Sequence, residues 1–368
     1  MKKKVLKNME WGIVICSVIL LAIGMVALFS ASQSTDYDSF IKQGQWILIS
    51  IPVLIIVTMV DYNFIAKLSP YFYGIFMILL IAVLFTEPIN GATSWFDIGG
   101  ASLQPGELSK VFVILFLSYM ICKLQERGKK EINKLWKLAV SLLIVMVPVL
   151  LIVKQPDYGT AMAFIMATVF IYFIAGIRTK YIVICLLLLA IILPLVYIFV
   201  LPEHAKTRIE IFLDPEKDAR GAGYNVIQSK LAIGAGQLFG MGLLKGNQTQ
   251  LGFLYPKTTD FIFSVIGEEM GFIISSLVII LYVILVTKAV YVAKTAKDDL
   301  GSYIAMGIAG IFFFHMIENI GMTMGLLPIT GIPLPFVSYG GSAMVTNFIC
   351  LGLLLNISGR RQKAIFAE

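Results

Sequence analysis

Long apolar runs constrain this chain more than any other feature. A helix needs roughly 20 mostly apolar residues to cross the hydrocarbon of a bilayer. The sequence holds ten such runs, at about 11–31, 43–60, 67–86, 107–122, 138–153, 160–176, 181–201, 262–287, 303–325 and 341–357. Composition agrees: 58% of residues are hydrophobic, 14% are charged, and the mean hydropathy is +0.88. A soluble domain carries about a quarter charged residues. The expected fold class is an all-α polytopic membrane protein of about ten transmembrane helices, a single domain over residues 1–368.

An even number of crossings puts both termini on one side, and the bias of Lys and Arg says which. The stretches sharing a side with the termini carry Lys2, Lys3, Lys4 and Lys7, six cations between Lys123 and Lys137, and Arg360, Arg361 and Lys363. The opposite side, the long loop 202–261 aside, has only Lys42, Lys110 and Lys154. Both termini are therefore expected in the cytoplasm and loop 202–261 outside; long loops translocate largely regardless of charge. The net charge of +7 is mostly this topology signal and not a nucleic-acid footprint. The N-terminus resembles a secretory signal, but its apolar stretch is longer than a usual signal core. It reads as an uncleaved first helix.

Cys16, Cys122, Cys185 and Cys350 lie in or at the ends of apolar runs and read as small buried hydrophobes. The only histidines, His204 and His315, are too distant for a zinc site.

The unusual sequence gathers on the outer side, in four places. In "NGATSWFDIGGASLQPGELSK" Pro105 suits the first turn of a helix. Glu107 and Lys110 then lie three apart on one helix face and can pair near the rim, functionally or as a snorkelling surface pair. "KQPDYGTA" is a tight Pro–Asp–x–Gly turn with Lys154 and Asp157. Loop 202–261 contains "GYNVIQSKLAIGAGQLFG", where Tyr224, Ile227 and Leu231 share one helical face while Asn225 and Ser229 lie on another. That pattern suits a short helix lying in the membrane interface. The glycine spacing matches no nucleotide-binding loop. In "HMIENIGMTMGLLPITGIPLPFVSYGGSA" His315, Glu318 and Asn319 form a polar stripe, and prolines then interrupt the chain before Ser338 and Tyr339. Irregular backbone at membrane depth lines a wet cavity or is buried in protein.

These places converge on one outward-facing cavity. Asp260, in "YPKTTDFIFSVIGEEMG", begins the eighth run, with Ser264, Gly267 and Gly271 on the same small-residue face. Glu268 is expected about 12 Å deeper, at 1.5 Å rise per residue. A lone carboxylate at the rim fits a general base. Outer cations such as Lys110, Lys154, Arg208 and Lys230 are suited to phosphate groups. A lipid-linked pyrophosphate sugar needs both.

"GATSWFDIG", "QPGELSK", "KQPDYGTA", "FLDPEKDARGAGYNVIQSKLAIGAGQLFGMGL", "TDFIFSVIGEEMGF" and "NIGMTMGLLPITGIPLPFVSYGGS" resemble the RodA/FtsW/SpoVE family, also called SEDS proteins, over essentially the whole chain. The run GYNVIQSKLAIGAG is closer to the RodA members than to the FtsW members. The resemblance implies a peptidoglycan glycosyltransferase of the bacterial cytoplasmic membrane. Its implied substrate is lipid II, polymerised at the outer face for cell elongation, with undecaprenyl pyrophosphate as leaving group. It implies Asp260 as the base, and Trp95, Gln104, Glu107, Lys110, Lys154 and Asp157 as further site residues, with Ser338 and Tyr339 in the last motif. It implies a class B penicillin-binding protein, a transpeptidase, as partner, together with the elongation machinery. No cofactor is firmly expected; a divalent cation is one that pyrophosphate chemistry would accept.

The chain departs from the family pattern at Ser94, Ser102, Gly106 and Thr258, positions where relatives commonly carry two basic residues, a serine and a histidine. Lys257 is a candidate to supply some of the missing charge. Two other classes stay open: a lipid II flippase, which would need polar residues through the full depth, and a scaffold for a transpeptidase, which leaves Asp260 and Lys110 unexplained.

Overall fold

The computed structural model describes residues 8–88, 92–98, 101–181, 183–184, 187, 203–218 and 221–361. Helices α1 (Trp11–Ala31), α2 (Asp38–Met59) and α3 (Tyr62–Ala82) come first. A two-stranded antiparallel hairpin follows, β1 (Phe96–Ile98) and β2 (Ala101–Leu103), pairing Phe96 with Leu103. Then come α4 (Pro105–Leu124), α5 (Leu135–Val153) and α6 (Tyr158–Ile174). The region after it holds three shorter helices, α7 (Glu203–Leu213), α8 (Ala222–Ala235) and α9 (Asn247–Gln250). The chain closes with α10 (Ile262–Lys294), α11 (Asp299–Thr323) and α12 (Gly341–Arg360).

The long helices coincide with the expected spans. The expected run 181–201 falls for the most part outside the described residues. Helix ends shift outward where polar residues can continue the backbone ladder. α2, for example, starts at Asp38, whose carboxylate pairs with Lys42 one turn on at 2.8 Å. The small hairpin was not expected; it caps the entry to α4.

α11 and α12 form the centre of the bundle. In their apolar windows 83% of residues are buried, against 11% for α2, so α2 is a peripheral, lipid-facing span. α10 packs between α1 and α11, α6 lies on α11, and α2 lies on α12. The end carrying the termini is laced by ion pairs. Glu10 binds Lys288 at 2.8 Å and Arg361 at 3.4 Å, and Asp61 binds Arg360 at 3.3 Å.

One feature at the opposite end differs from expectation. α10 is broken at Gly271, where φ 77° and ψ −175° are accessible to glycine and to almost no other residue. A break frees backbone groups that must find partners. The segment 237–242 supplies them. Met241 and Gly242 donate to the carbonyls of Glu268 and Glu269 at 2.9 and 3.1 Å. Phe272 and Ile273 donate to Gln237 and Leu238 at 2.8 and 3.3 Å.

The break also removes the expected depth order of the carboxylates. The Asp260 carbonyl is bound to Asn319, about one turn short of the end of α11. Ser264 reaches that end, because its hydroxyl shares Ser229 with the Thr323 carbonyl. Glu269 is joined through Gln250 to Ser30 in the last turn of α1. From Asp260 to Glu269 the chain therefore runs along the end of the bundle. It turns into the bundle only beyond Gly271, and Glu268 is not two turns deeper than Asp260.

α8 presents its small face to the protein. Val226, Ser229 and Ala232 are buried, while Leu231 is 52% exposed. The Ser229 hydroxyl meets Ser264 Oγ and the Thr323 carbonyl, both at 2.6 Å. Small and hydroxyl side chains let helices of a membrane protein approach closely, and large apolar ones are turned to the surroundings. Leu231 of the apolar face is thus turned away from the protein, as a helix lying in the membrane interface requires.

Candidate active site

The polar stripe of α11 organises the site. His315 lies one turn before the adjacent Glu318 and Asn319, and each holds the proline-rich segment that follows. His315 Nδ1 lies 2.9 Å from the Pro333 carbonyl. Glu318 Oε1 accepts from the Thr330 hydroxyl at 2.8 Å. Asn319 Nδ2 donates to the Ile332 carbonyl at 2.9 Å and to the Asp260 carbonyl at 3.0 Å. One side-chain amide thus joins the two backbone segments that flank the candidate base.

Asp260 is half-buried and ends the loop before α10. Its carboxylate lies against Gly331, where a Cβ atom would stand 3.4 Å from Oδ2. Gly331 has φ 75°, a left-handed conformation that also favours glycine. The next residues of the loop are stitched to the last motif. The Ser338 hydroxyl donates to the Thr259 carbonyl at 2.7 Å, and the Tyr339 amide donates to the Thr258 carbonyl at 3.0 Å. Gln43 of α2 completes the knot, donating to the Ser338 carbonyl at 3.0 Å and accepting from the Gly340 amide at 3.2 Å. Thr258, where relatives commonly have histidine, contributes its backbone here.

One turn inside Asp260 lies a buried charge cluster. Lys110 Nζ is 2.7 Å from Glu107 Oε1 and 2.9 Å from His315 Nε2. An ammonium has only donors, so Nε2 accepts, and Nδ1 carries the proton that it gives to the Pro333 carbonyl. Lys110 and Glu107 are 1% and 3% exposed. This rules out a snorkelling rim pair. The Lys110 ammonium is thus engaged on two sides and has no open surface.

A second polar link lies beside it. Gln104, just before α4, donates through Nε2 to Asp157 Oδ2 at 2.9 Å, and its amide donates to the Ser342 hydroxyl at 2.9 Å. Asp157 Oδ1 caps α6 by accepting from the Thr160 amide at 3.1 Å. Burial raises the Asp157 pKa above the usual carboxylate value, and nearby Glu107 adds to it against the hydrogen bonds from Thr160.

The other expected site residues are more scattered. Trp95 is half-buried just before β1, and its carbonyl accepts from Thr86 Oγ1 at 3.3 Å. Lys154 is exposed at the C-terminus of α5. Lys230 is exposed on α8, with its ammonium over Gly325 at the end of α11. Arg208 is on α7, and its side chain lies outside the described residues. Lys257 gives its ammonium to the Thr249 carbonyl at 2.8 Å and to Ser34 Oγ at 3.2 Å. Its charge is therefore held at the corner between α1 and α2. Glu268 caps α9, accepting from the amides of Gln248 and Thr249 at 2.7 and 3.0 Å and from the Thr249 hydroxyl at 2.6 Å. Gln43 went unrecognised in the sequence, where one glutamine in an apolar run carries no pattern. His315 and Asn319 were visible as a stripe, but their partners were not.

A family model described as "Cell cycle protein", covering FtsW, RodA and SpoVE, matches residues 10–363. The chain belongs to the FtsW/RodA/SpoVE, or SEDS, family. It is similar to peptidoglycan glycosyltransferase MrdB of Escherichia coli (strain K12), with 34% identity over 348 residues, covering 93% of this chain and 91% of that protein. It also superposes on a chain solved in a peptidoglycan synthase complex that coordinates polymerization and crosslinking. That match has TM-score 0.82 and 26% identity, and covers 95% of this chain and 97% of that one. Rod shape determining protein RodA of Thermus thermophilus matches with TM-score 0.72 and 26% identity, over 96% of this chain and 98% of that one. This SEDS chain is accordingly a membrane enzyme of the peptidoglycan glycosyltransferase class.

Proposed function

We propose that the chain polymerises lipid II into glycan strands at the outer face of the bacterial cytoplasmic membrane, serving elongation, with Asp260 as the general base. The observation that carries this reading is the setting of Asp260. Its backbone is clamped by Asn319, and its half-buried carboxylate lies against Gly331 beside the proline-rich segment. The bias of Lys and Arg toward the end with the termini supports an outward-facing Asp260.

In this reading the Asp260 carboxylate takes the proton from the 4-hydroxyl of the acceptor N-acetylglucosamine. The hydroxyl oxygen forms the new β(1→4) bond to the anomeric carbon of the growing strand. The α-linked bond to undecaprenyl pyrophosphate breaks, and its electron pair leaves with the pyrophosphate, so the configuration inverts. A positioned general base contributes about 10²–10⁴-fold. Among the described residues, exposed Lys154 and Lys230 are cations available to the pyrophosphate, and Arg208 remains a further candidate. Among the described residues no three His, Cys, Asp or Glu side chains converge. They do not build a resident metal cage, and no step is assigned to one.

A transpeptidase of the class B penicillin-binding type is the proposed partner, supported by the likeness to a chain from a complex that couples polymerization to crosslinking. The test is polymerisation of purified lipid II by Asp260→Asn, with and without the cognate transpeptidase. The variant is expected to elute and melt like the parent and to make no polymer. Unchanged polymer would remove Asp260 as the base. Transfer of fluorescent lipid II across proteoliposomes without polymer would favour transport instead.

A further inference from the structure

At the end of the bundle that carries Glu10 and Arg361, a cavity of about 610 Å³ opens between the C-termini of α6 and α10 and the N-terminus of α11. Its polar wall includes Lys129, Lys294 and Lys297, and its apolar wall includes Ile174, Ala293 and Ala296. Asp298 and Asp299 also line it, and both are already engaged. Asp298 accepts from the Tyr62 hydroxyl at 2.7 Å and from the Gly301 amide at 2.8 Å. Asp299 holds the Lys129 ammonium at 2.6 Å. Among the described residues neither Lys294 nor Lys297 has an ion-pair partner, and both are exposed. The cavity therefore offers two uncommitted ammonium groups beside an apolar wall.

We propose that this cavity binds the phosphodiester headgroup of an anionic phospholipid, with Lys294 and Lys297 as its contacts. Position favours a lipid over a soluble phosphate. α6 and α10 end at Ile174 and Lys294, so the cavity lies at the level where spanning helices meet headgroups. Above it, lipid-facing residues of α10 such as Ile280, Val283 and Ile284 continue an exposed apolar track for acyl chains. Basic pockets between spanning helices are suited to anionic headgroups. The site is separate from Asp260: Asp299 and Asn319 are twenty residues apart on α11, about 30 Å along a helix. It does not depend on the identity of the sugar substrate.

The test uses the purified full chain in neutral detergent, with thermal unfolding followed during titration by phosphatidylglycerol, phosphatidylcholine or sn-glycerol 3-phosphate. Phosphatidylglycerol is expected to raise the midpoint saturably, and the other two are not. Each lysine near an anionic surface contributes about a fivefold gain. The double variant Lys294→Gln/Lys297→Gln should therefore bind phosphatidylglycerol about 25-fold more weakly while melting like the parent without lipid. Lys294→Ala/Lys297→Ala serves if the glutamine pair misfolds. An equal response to phosphatidylcholine overturns the charge recognition. An equal response to glycerol phosphate makes the site one for a free anion. Undiminished phosphatidylglycerol affinity in the double variant overturns the assignment to this cavity.

Discussion

The side-chain amide of Asn319 holds the backbone carbonyl of Asp260 at 3.0 Å, and its second proton holds Ile332 at 2.9 Å. Asn319→Asp removes both donors and sets a carboxylate against two carbonyls. We predict a fall in kcat on the order of 10²-fold, the scale of a 1 Å misplacement, with KM little changed. Unfolding should show a loss of about 1–3 kcal/mol for the orphaned groups. Steady-state polymerisation and melting together check this. Equal losses in kcat and in folded fraction would mean that the amide only stabilises the fold.

The buried Lys110–Glu107 pair makes a different prediction. Removing one partner strands the other charge away from water, which costs about 3–5 kcal/mol. Lys110→Met should therefore be severely destabilised, and Lys110→Met/Glu107→Leu should recover much of the loss. A double-mutant cycle read by denaturation tests it. Additive losses would contradict a coupled pair.

Gly271 and Gly74 form a matched pair of tests. An alanine at Gly271 would be forced into a conformation that costs about 1–3 kcal/mol, and its Cβ would stand 2.7 Å from the Leu238 carbonyl oxygen. At Gly74, inside α3, nothing lies within 4 Å of an added Cβ. Gly74→Ala should gain about 0.5–1 kcal/mol from helix propensity. Opposite shifts in the melting temperature are the expected result.

Asp157 gives the protein a pH response with a definite sign. Its folded pKa is raised, chiefly by burial. The folded state therefore holds that proton more tightly than the unfolded chain does. The contribution is fully present below the ordinary carboxylate pKa and is lost as pH rises through the raised value. Asp157→Asn should flatten that part of the melting-temperature profile, which lies on the alkaline side of the ordinary carboxylate pKa. An unchanged slope would assign it to other groups.

Much of the bundle was readable because lipid imposes a strong pattern. Spanning helices need continuous apolar length, and α1, α5, α11 and α12 appear close to where that length lies. The candidate base was readable as a carboxylate at the start of a span. What distance in sequence hides is pairing. Nothing near Lys110 points to His315, and nothing near Gln43 points to Ser338. The depth order of Asp260 and Glu268 failed because helical rise was counted through a region that runs along the bundle end. The face that α8 turns to the protein was not assigned in the sequence: Val226, Ser229 and Ala232 pack there, while Leu231 looks outward, as in a helix lying in the membrane interface.

The knot at Gln43 ties the end that carries Asp260 to the least buried of the candidate spans among the described residues. α2 reaches Ser338 and Gly340 at one end, and the Asn356 side chain holds its Val57 and Val60 carbonyls at the other. Spanning helices tilt to match the thickness of the bilayer. A tilt of α2 pulls on Gln43, and through Ser338 on Thr259, the neighbour of Asp260. Membrane thickness is thereby expected to act on the loop that carries Asp260, and acyl-chain length in the assay is a variable to be set as deliberately as pH.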